Sequence, residues 1–236
     1  MNTPAPLPSS LIPLSSPDAD LTTVGGKGTN LAKLACAGFP VPNGFMIPTA
    51  SYREFVSSNQ LEKIIDAHLR NLDFSSPQAL ETASQEIRAG FRKGVVQQSL
   101  VDALEIGSTW LSGQAVAVRS SATAEDLPDM SFAGQQDTFL NVLEDKALLE
   151  SVVDCWSSLW TARAIGYRAR NEIAHQDASL AVIVQEMVQS EVSGVLFTAN
   201  PLTGKRSETV IDAAFGLGEA LVGGHVEPDH YIIDSI

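Results

Sequence analysis

Residues 115–143 constrain the fold more than any other stretch of the chain. An apolar run, residues 115–118, ends abruptly in Arg119. A long polar segment follows, SSATAEDLPDMSFAGQQD, broken mainly by Leu127, Pro128, Met130 and Phe132. Gly134 leads into a second apolar segment, residues 139–143. The pattern predicts a buried strand, a long loop opened by a cation, and a return strand. Such a loop is too long for a simple hairpin turn. Loops of Ser, Thr, Ala and Gly bring backbone N–H groups close to an anion, and an arginine at a strand end can fork onto phosphate oxygens.

With 236 residues, 44% of them apolar and 18% charged, the chain can bury a sizeable core as one large domain or two small lobes. A formal net charge of −13 argues against nucleic acid or a general anionic surface as partner, because phosphate-backbone affinity needs clustered cations. A single nucleotide needs only a few. Lys27 and Arg119 therefore stand out at the edges of glycine-rich and apolar segments. Cys36 and Cys155 lack metal-ligand spacing and read as reduced, packed thiols of a cytoplasmic protein. None of the four histidines falls in a metal-binding pattern, so no metal ligands are assigned. The first 20 residues are proline-rich, without a basic or long apolar region. They read as a flexible lead-in and not as a signal peptide. No stretch approaches the roughly 18 apolar residues of a membrane span.

Helical periodicity is expected from Thr29 to Ala37, with Leu31, Leu34 and Ala35 on one face, and again over 60–70, 77–110 and 145–172. Residues 39–47 read as extended. Strands are expected at 180–188, 194–198, 209–213 and 231–234, with a short helix at 216–222. The outline is a mainly helical lobe over 21–110 and an α+β lobe over 111–236.

Four short patterns carry candidate chemistry. Gly25-Gly26-Lys27-Gly28 opens a helix, where glycines allow close backbone approach and the helix N-terminus favours an anion. Lys27 is followed by Gly28 and not by Ser or Thr, so this is not a Walker A loop. A glycine-rich turn with a solvated lysine is the plainer reading. Arg119 can hold phosphate or pair with Glu125 or Asp126. Gln185-Glu186-Met187-Val188 ends an apolar strand, as a nucleotide-facing hinge or as an ordinary solvated strand end. Gly216-Leu217-Gly218-Glu219 lacks the third glycine of a dinucleotide fingerprint, because Leu221 stands there.

Taken in order, GGKGTNLAKLACAGFPVPNGF, RSSATAEDLPDMSFAGQ, VIVQEMV, SGVLFTANPLTG and IDAAFGLGEALVGG resemble the motifs of the nucleotide-binding domain in the phosphoenolpyruvate synthase, pyruvate phosphate dikinase and rifampin phosphotransferase family. The resemblance runs from about residue 22 to 236. It implies an ATP-grasp-like two-lobed α+β domain, C-terminally incomplete here, and ATP as ligand. It also implies phosphate contacts from Lys27 and Arg119, with Gly134 and Thr138 in the phosphate loop and Gln185 at the nucleotide. Thr138 can equally be an ordinary strand threonine. In the family, phosphoryl passes from ATP to a histidine on a mobile domain, then to pyruvate, water or an antibiotic hydroxyl. Mg²⁺ is expected for the complete enzyme, but the family's Mg²⁺-binding acidic segment, phosphohistidine domain and acceptor domain have no counterpart in these residues. Relatives carry Asp where Asn200 stands. Whether the chain alone is an enzyme stays open; it is expected to be inactive without those domains. The alternative is a non-catalytic nucleotide-binding or regulatory remnant, or a truncated product.

Overall fold

The structure, a computed structural model, describes residues 6–123 and 138–234. The chain divides into two compact units, Met1–Met187 and Val188–Ile236. It mixes helices with antiparallel sheets, the α+β class expected from the sequence.

The division falls after Met187 and not near residue 110. The reason is the pairing of β5 (Leu180–Glu186), which lies between β2 (Gly44–Ile47) and β3 (Val116–Ala122). Strands from distant parts of the sequence thus share one sheet and one core. With β1 (Ile12–Pro13) and β4 (Thr138–Val142), the described strands run in the order β1-β2-β5-β3-β4. Where a loose lead-in was expected, β1 pairs with β2, and Leu11 and Leu14 are buried.

Alternation along the strands gives this sheet two different faces. Phe45, Ile47, Val116, Val118, Leu180, Val182 and Val184 belong to the larger core with Tyr52, Phe55, Phe91 and Trp156 from the helices. Met46, Ala181 and Ile183 point the other way and pack with Leu14 and Val24. Arg119 pairs with Ile183, and Ala117 with Gln185. Directly opposed residues share a face, so Arg119 and Gln185 both lie on the side that carries the helix α1 (Leu21–Cys36).

Helix α1 starts at Leu21, eight residues before the expected start. Asp20 caps it, its carboxylate accepting from the Thr23 amide at 2.8 Å. Gly25 breaks its geometry at φ 70°, ψ 178°. Leu31 packs toward the core, but Leu34 is exposed, because Val24, Gly28 and Ala32 take the buried face. The expected helix over 77–110 is two, α4 (Pro77–Lys93) and α5 (Gln98–Trp110). Gly94 leaves helical geometry, and the Asn59 amide holds both backbone groups of Val95 at 2.8 and 3.0 Å. Residues 145–172 likewise divide into α6 (Asp145–Ser158) and α7 (Ala162–Arg170). There the Thr161 hydroxyl caps α7 by accepting from the Ala164 amide. Helices α2 (Thr49–Ser58) and α3 (Leu61–Leu69) complete this layer.

A buried cation sits within it. Arg168 is 1% exposed, lies 4.9 Å over the Trp160 ring and donates from Nε to His175 Nδ1 at 3.0 Å. Desolvation, and then the Arg168 charge, press the His175 pKa down from 6.5 to about 4. The folded state therefore binds this proton only near pH 4, whereas the unfolded chain binds it near pH 6.5. Between those values the unfolded state holds more protons, so stability falls as pH falls. After discounting for partial exposure, the expected loss from pH 7 to pH 4 is about 1–2 kcal/mol. Urea titrations across this range should show it, and His175→Gln should flatten the slope.

The second unit holds β6 (Val192–Phe197), β7 (Glu208–Phe215) and β8 (Asp229–Asp234) in that order, with α8 (Gly218–Val222) after β7. Each strand extends one or two residues beyond its sequence estimate at one end or both, while β6 stops one residue short at Phe197, because the antiparallel register carries pairing to Val192↔Phe215 and Ala213↔Asp229. Among the described residues, Val210 is its fully buried apolar side chain. One sheet face, with Val192, Leu196, Phe215, Tyr231 and Ile233, is at least half exposed.

Candidate functional site

Arg119 lies mid-strand on the α1 side of the first sheet, half-buried among Ala117, Ile183 and Gln185. Desolvation pushes its pKa below the ordinary arginine value, yet a guanidinium stays charged in a protein. The Gln185 side-chain oxygen accepts from Arg119 Nη1 at a long 3.5 Å, and Gln185 Nε2 donates to the Pro42 carbonyl at 3.2 Å. Gln185 is 7% exposed. It thus orients the guanidinium by a neutral contact that leaves the positive charge uncompensated by that partner. Thr138 is directly opposite Arg119 across β3–β4, on the same face, and is exposed. A register shift between Val116 and Val118 sets this alignment; such bulges re-aim side chains. Gly134, Glu125 and Asp126 lie outside the described residues.

The turn that carries Lys27 meets the same strand. Ser121, two residues on from Arg119 and on the same face, is fully buried. Its hydroxyl donates to the Val24 carbonyl at 2.7 Å and accepts from the Gly28 amide at 3.0 Å. Lys27 is half-buried beside that contact. Two residues of strand span about 7 Å, so the backbone flanking Lys27 is tied close to Arg119. A Cβ at Gly25 would come within 2.2 Å of the Ser121 carbonyl oxygen, which is why the close approach needs glycine. Residue type and spacing drew attention to Lys27 and Arg119, and the family resemblance added Thr138 and Gln185. Arg119, Thr138 and Gln185 share one sheet face, and the α1 turn that carries Lys27 is tied to it through Ser121.

Sequence reasoning passed over Ser121 and Arg53. Arg53 donates to the Thr49 hydroxyl at 3.0 Å and to Ser179 Oγ at 3.2 Å. Thr49 in turn donates to the Thr22 carbonyl, and the Ser179 carbonyl accepts from the Thr123 amide. This relay ties the start of α1 to the end of β3. The signal for Ser121 was a polar residue inside an otherwise buried strand; Arg53 left a weaker one, an i,i+4 spacing from Thr49, because its other partner, Ser179, is 126 positions away.

Other candidates have structural roles. Gly216, at φ 88°, turns β7 toward α8, its amide donating to Glu191 and its carbonyl accepting from Ser193 Oγ. Asn200 is buried, donating to Glu208 at 2.6 Å and accepting from the Leu202 amide, and so fastens the β6–β7 turn. A cleft of about 620 Å³ opens on the helical side of the first sheet. Arg53 and Arg70 line it together with Glu62 and Asp66, so its formal charges balance, and none of the sequence-predicted residues lines it. No group of three or more His, Cys, Asp or Glu among the described residues could hold a metal ion. No described helix is long and apolar enough to cross a membrane.

A cation-bearing sheet face with a glycine turn clasped to it is an arrangement whose chemistry suits an anion. Residues 21–236 match the pyruvate phosphate dikinase AMP/ATP-binding domain, and the chain belongs to that family. It is 45% identical over 222 residues to a probable phosphoenolpyruvate synthase of Archaeoglobus fulgidus, covering 92% of this chain and 29% of that protein. It is 46% identical over 218 residues to a rifampicin phosphotransferase of Streptomyces sviceus, covering 90% and 25%. A phosphoenolpyruvate synthase of Aeropyrum pernix is 43% identical over 222 residues, covering 91% and 27%. The chain thus spans 25–29% of these relatives' length.

Proposed function

We propose that this chain is the ATP-holding portion of a dikinase-type phosphotransferase, built as an ATP-grasp-like two-lobed domain. Lys27 and Arg119 grip the phosphates, Gly134 of the covering loop and Thr138 at the start of β4 flank them, and Gln185 steadies Arg119 while its hinge faces the base. The observation that carries this reading is the joint placement of Arg119, Gln185 and the Ser121-clasped Lys27 turn on one sheet face. Charge-assisted contacts to a polyphosphate are the strongest use of two such cations. The longer relatives are phosphoenolpyruvate synthases and a rifampicin phosphotransferase. By that likeness the phosphoryl group goes by way of a phosphohistidine domain to pyruvate or an antibiotic hydroxyl. Mg²⁺ would arrive with the nucleotide and neutralise phosphate charge. Cys36 and Cys155 form no disulfide, which suits a cytoplasmic setting.

The test is equilibrium binding of a fluorescent ATP analogue to the 236-residue chain. ATP should displace it and adenosine should not, because the grip is on phosphate. Equal displacement by adenosine, or no binding at all, contradicts the proposal.

A further inference from the structure

Ser121 occupies a place that an unbroken helix would not leave open. In a regular α-helix the Gly28 amide donates straight to the Val24 carbonyl. Here the Ser121 hydroxyl, from a strand 93 residues away in sequence, stands between them. It accepts from Gly28 at 3.0 Å and donates to Val24 at 2.7 Å. A side chain inserted into the hydrogen-bond ladder is a recognised cause of a sharp helix kink. The kink is present: Gly25 sits at φ 70°, ψ 178° inside the same turn. Both partners of the hydroxyl are backbone groups, and Ser121 is fully buried, so this contact is not displaced by solvent.

We infer that Ser121 is a positioning residue, which wedges the first turn of α1 open and sets the direction of Lys27 relative to Arg119. The inference rests on the nucleotide reading above. Lys27 lies between the two backbone groups that Ser121 holds apart, and Arg119 precedes Ser121 by two residues on the same strand face. One side chain thereby fixes the turn carrying one cation to the strand carrying the other. Without the hydroxyl, Gly28 can bond directly to Val24, Gly25 can relax toward helical geometry, and Lys27 rotates with the closing turn.

The experiment is Ser121→Ala in the full chain, with Ser120→Ala as control. Ser120 is equally buried in β3 but alternates to the opposite face. Two quantities are read: backbone chemical shifts of residues 24–28, and ATP affinity in a double-mutant cycle with Lys27→Ala. Expected are helical shifts at residues 24–28 and ATP binding weaker by about tenfold, as for one lost charge-assisted contact. In the Ser121→Ala background, Lys27→Ala should cost less than about threefold more, which marks the two as coupled. Ser120→Ala should do none of this. Unchanged shifts, or fully additive losses for Ser121 and Lys27, overturn the inference. If the wild-type chain binds no ATP, the nucleotide reading fails and the role toward Lys27 fails with it. The shifts then still decide whether Ser121 opens the helix.

Discussion

Gly25→Ala is expected to lower the melting temperature by about 10 °C, the largest single-residue effect anticipated near the site. Two costs combine. The backbone at φ 70°, ψ 178° is a region open in practice to glycine alone, and holding another residue there costs about 1–3 kcal/mol. The added Cβ would also lie 2.2 Å from the Ser121 carbonyl oxygen and 2.5 Å from its carbonyl carbon. Those are backbone atoms of a buried strand residue paired with Ala181 of β5, so they cannot step aside cheaply. Relief requires α1 to shift off the sheet, which also uncovers Val24, Met46 and Ile183. A total of about 3–5 kcal/mol follows, and in a unit of this size each kcal/mol moves the transition by about 2–4 °C. Calorimetric melting of the variant checks this; a midpoint within 2 °C of wild type would mean the turn is not clasped as described.

Much of this arrangement is legible in the sequence, for identifiable reasons. Arg119 announced itself as a cation closing an apolar run, and period-two alternation then decides its face. Strand β5 was readable because LAVIVQE is buried on both faces and so nearly continuous in apolar residues. What the sequence hid depends on contacts remote along the chain. The joint core of residues 21–110 with the later strands follows from β2 pairing with β5, about 140 positions away. The early start of α1 was masked because glycines at 25, 26 and 28 argue against helix locally, while the Asp20 cap and the burial of Val24 start it at Leu21. The breaks at Gly94 and Thr161 were masked by helical periodicity that continues across them, although the Asn59 clamp and the Thr161 cap interrupt the backbone. The contacts of the Gln185 side chain with Arg119 and the Pro42 carbonyl were likewise hidden, because those partners lie 66 and 143 positions away.

Arg119→Ala is the second large expectation. The guanidinium is partly desolvated, with a neutral amide as its described side-chain partner. Such a cation gains more from an incoming phosphate than a fully hydrated one, because much of its own dehydration precedes binding. Removing it is expected to cost about 1.5–3 kcal/mol of ATP affinity, or about 10- to 150-fold. Arg119→Lys should recover only part of this loss, since an ammonium cannot fork onto two oxygens or reach Gln185 in the same plane. Neither variant should unfold the chain, because the Ala117, Ser121 and Ile183 positions that pack beside it are unchanged.

Titration calorimetry of ATP into the wild-type chain and into Arg119→Ala, in the same Mg²⁺ buffer, tests the central claim most directly. The account predicts saturable binding by wild type and a loss of at least tenfold in the variant, with both chains showing the same melting midpoint within about 2 °C. Equal affinities in two equally folded chains would remove Arg119 from the phosphate site and contradict the account.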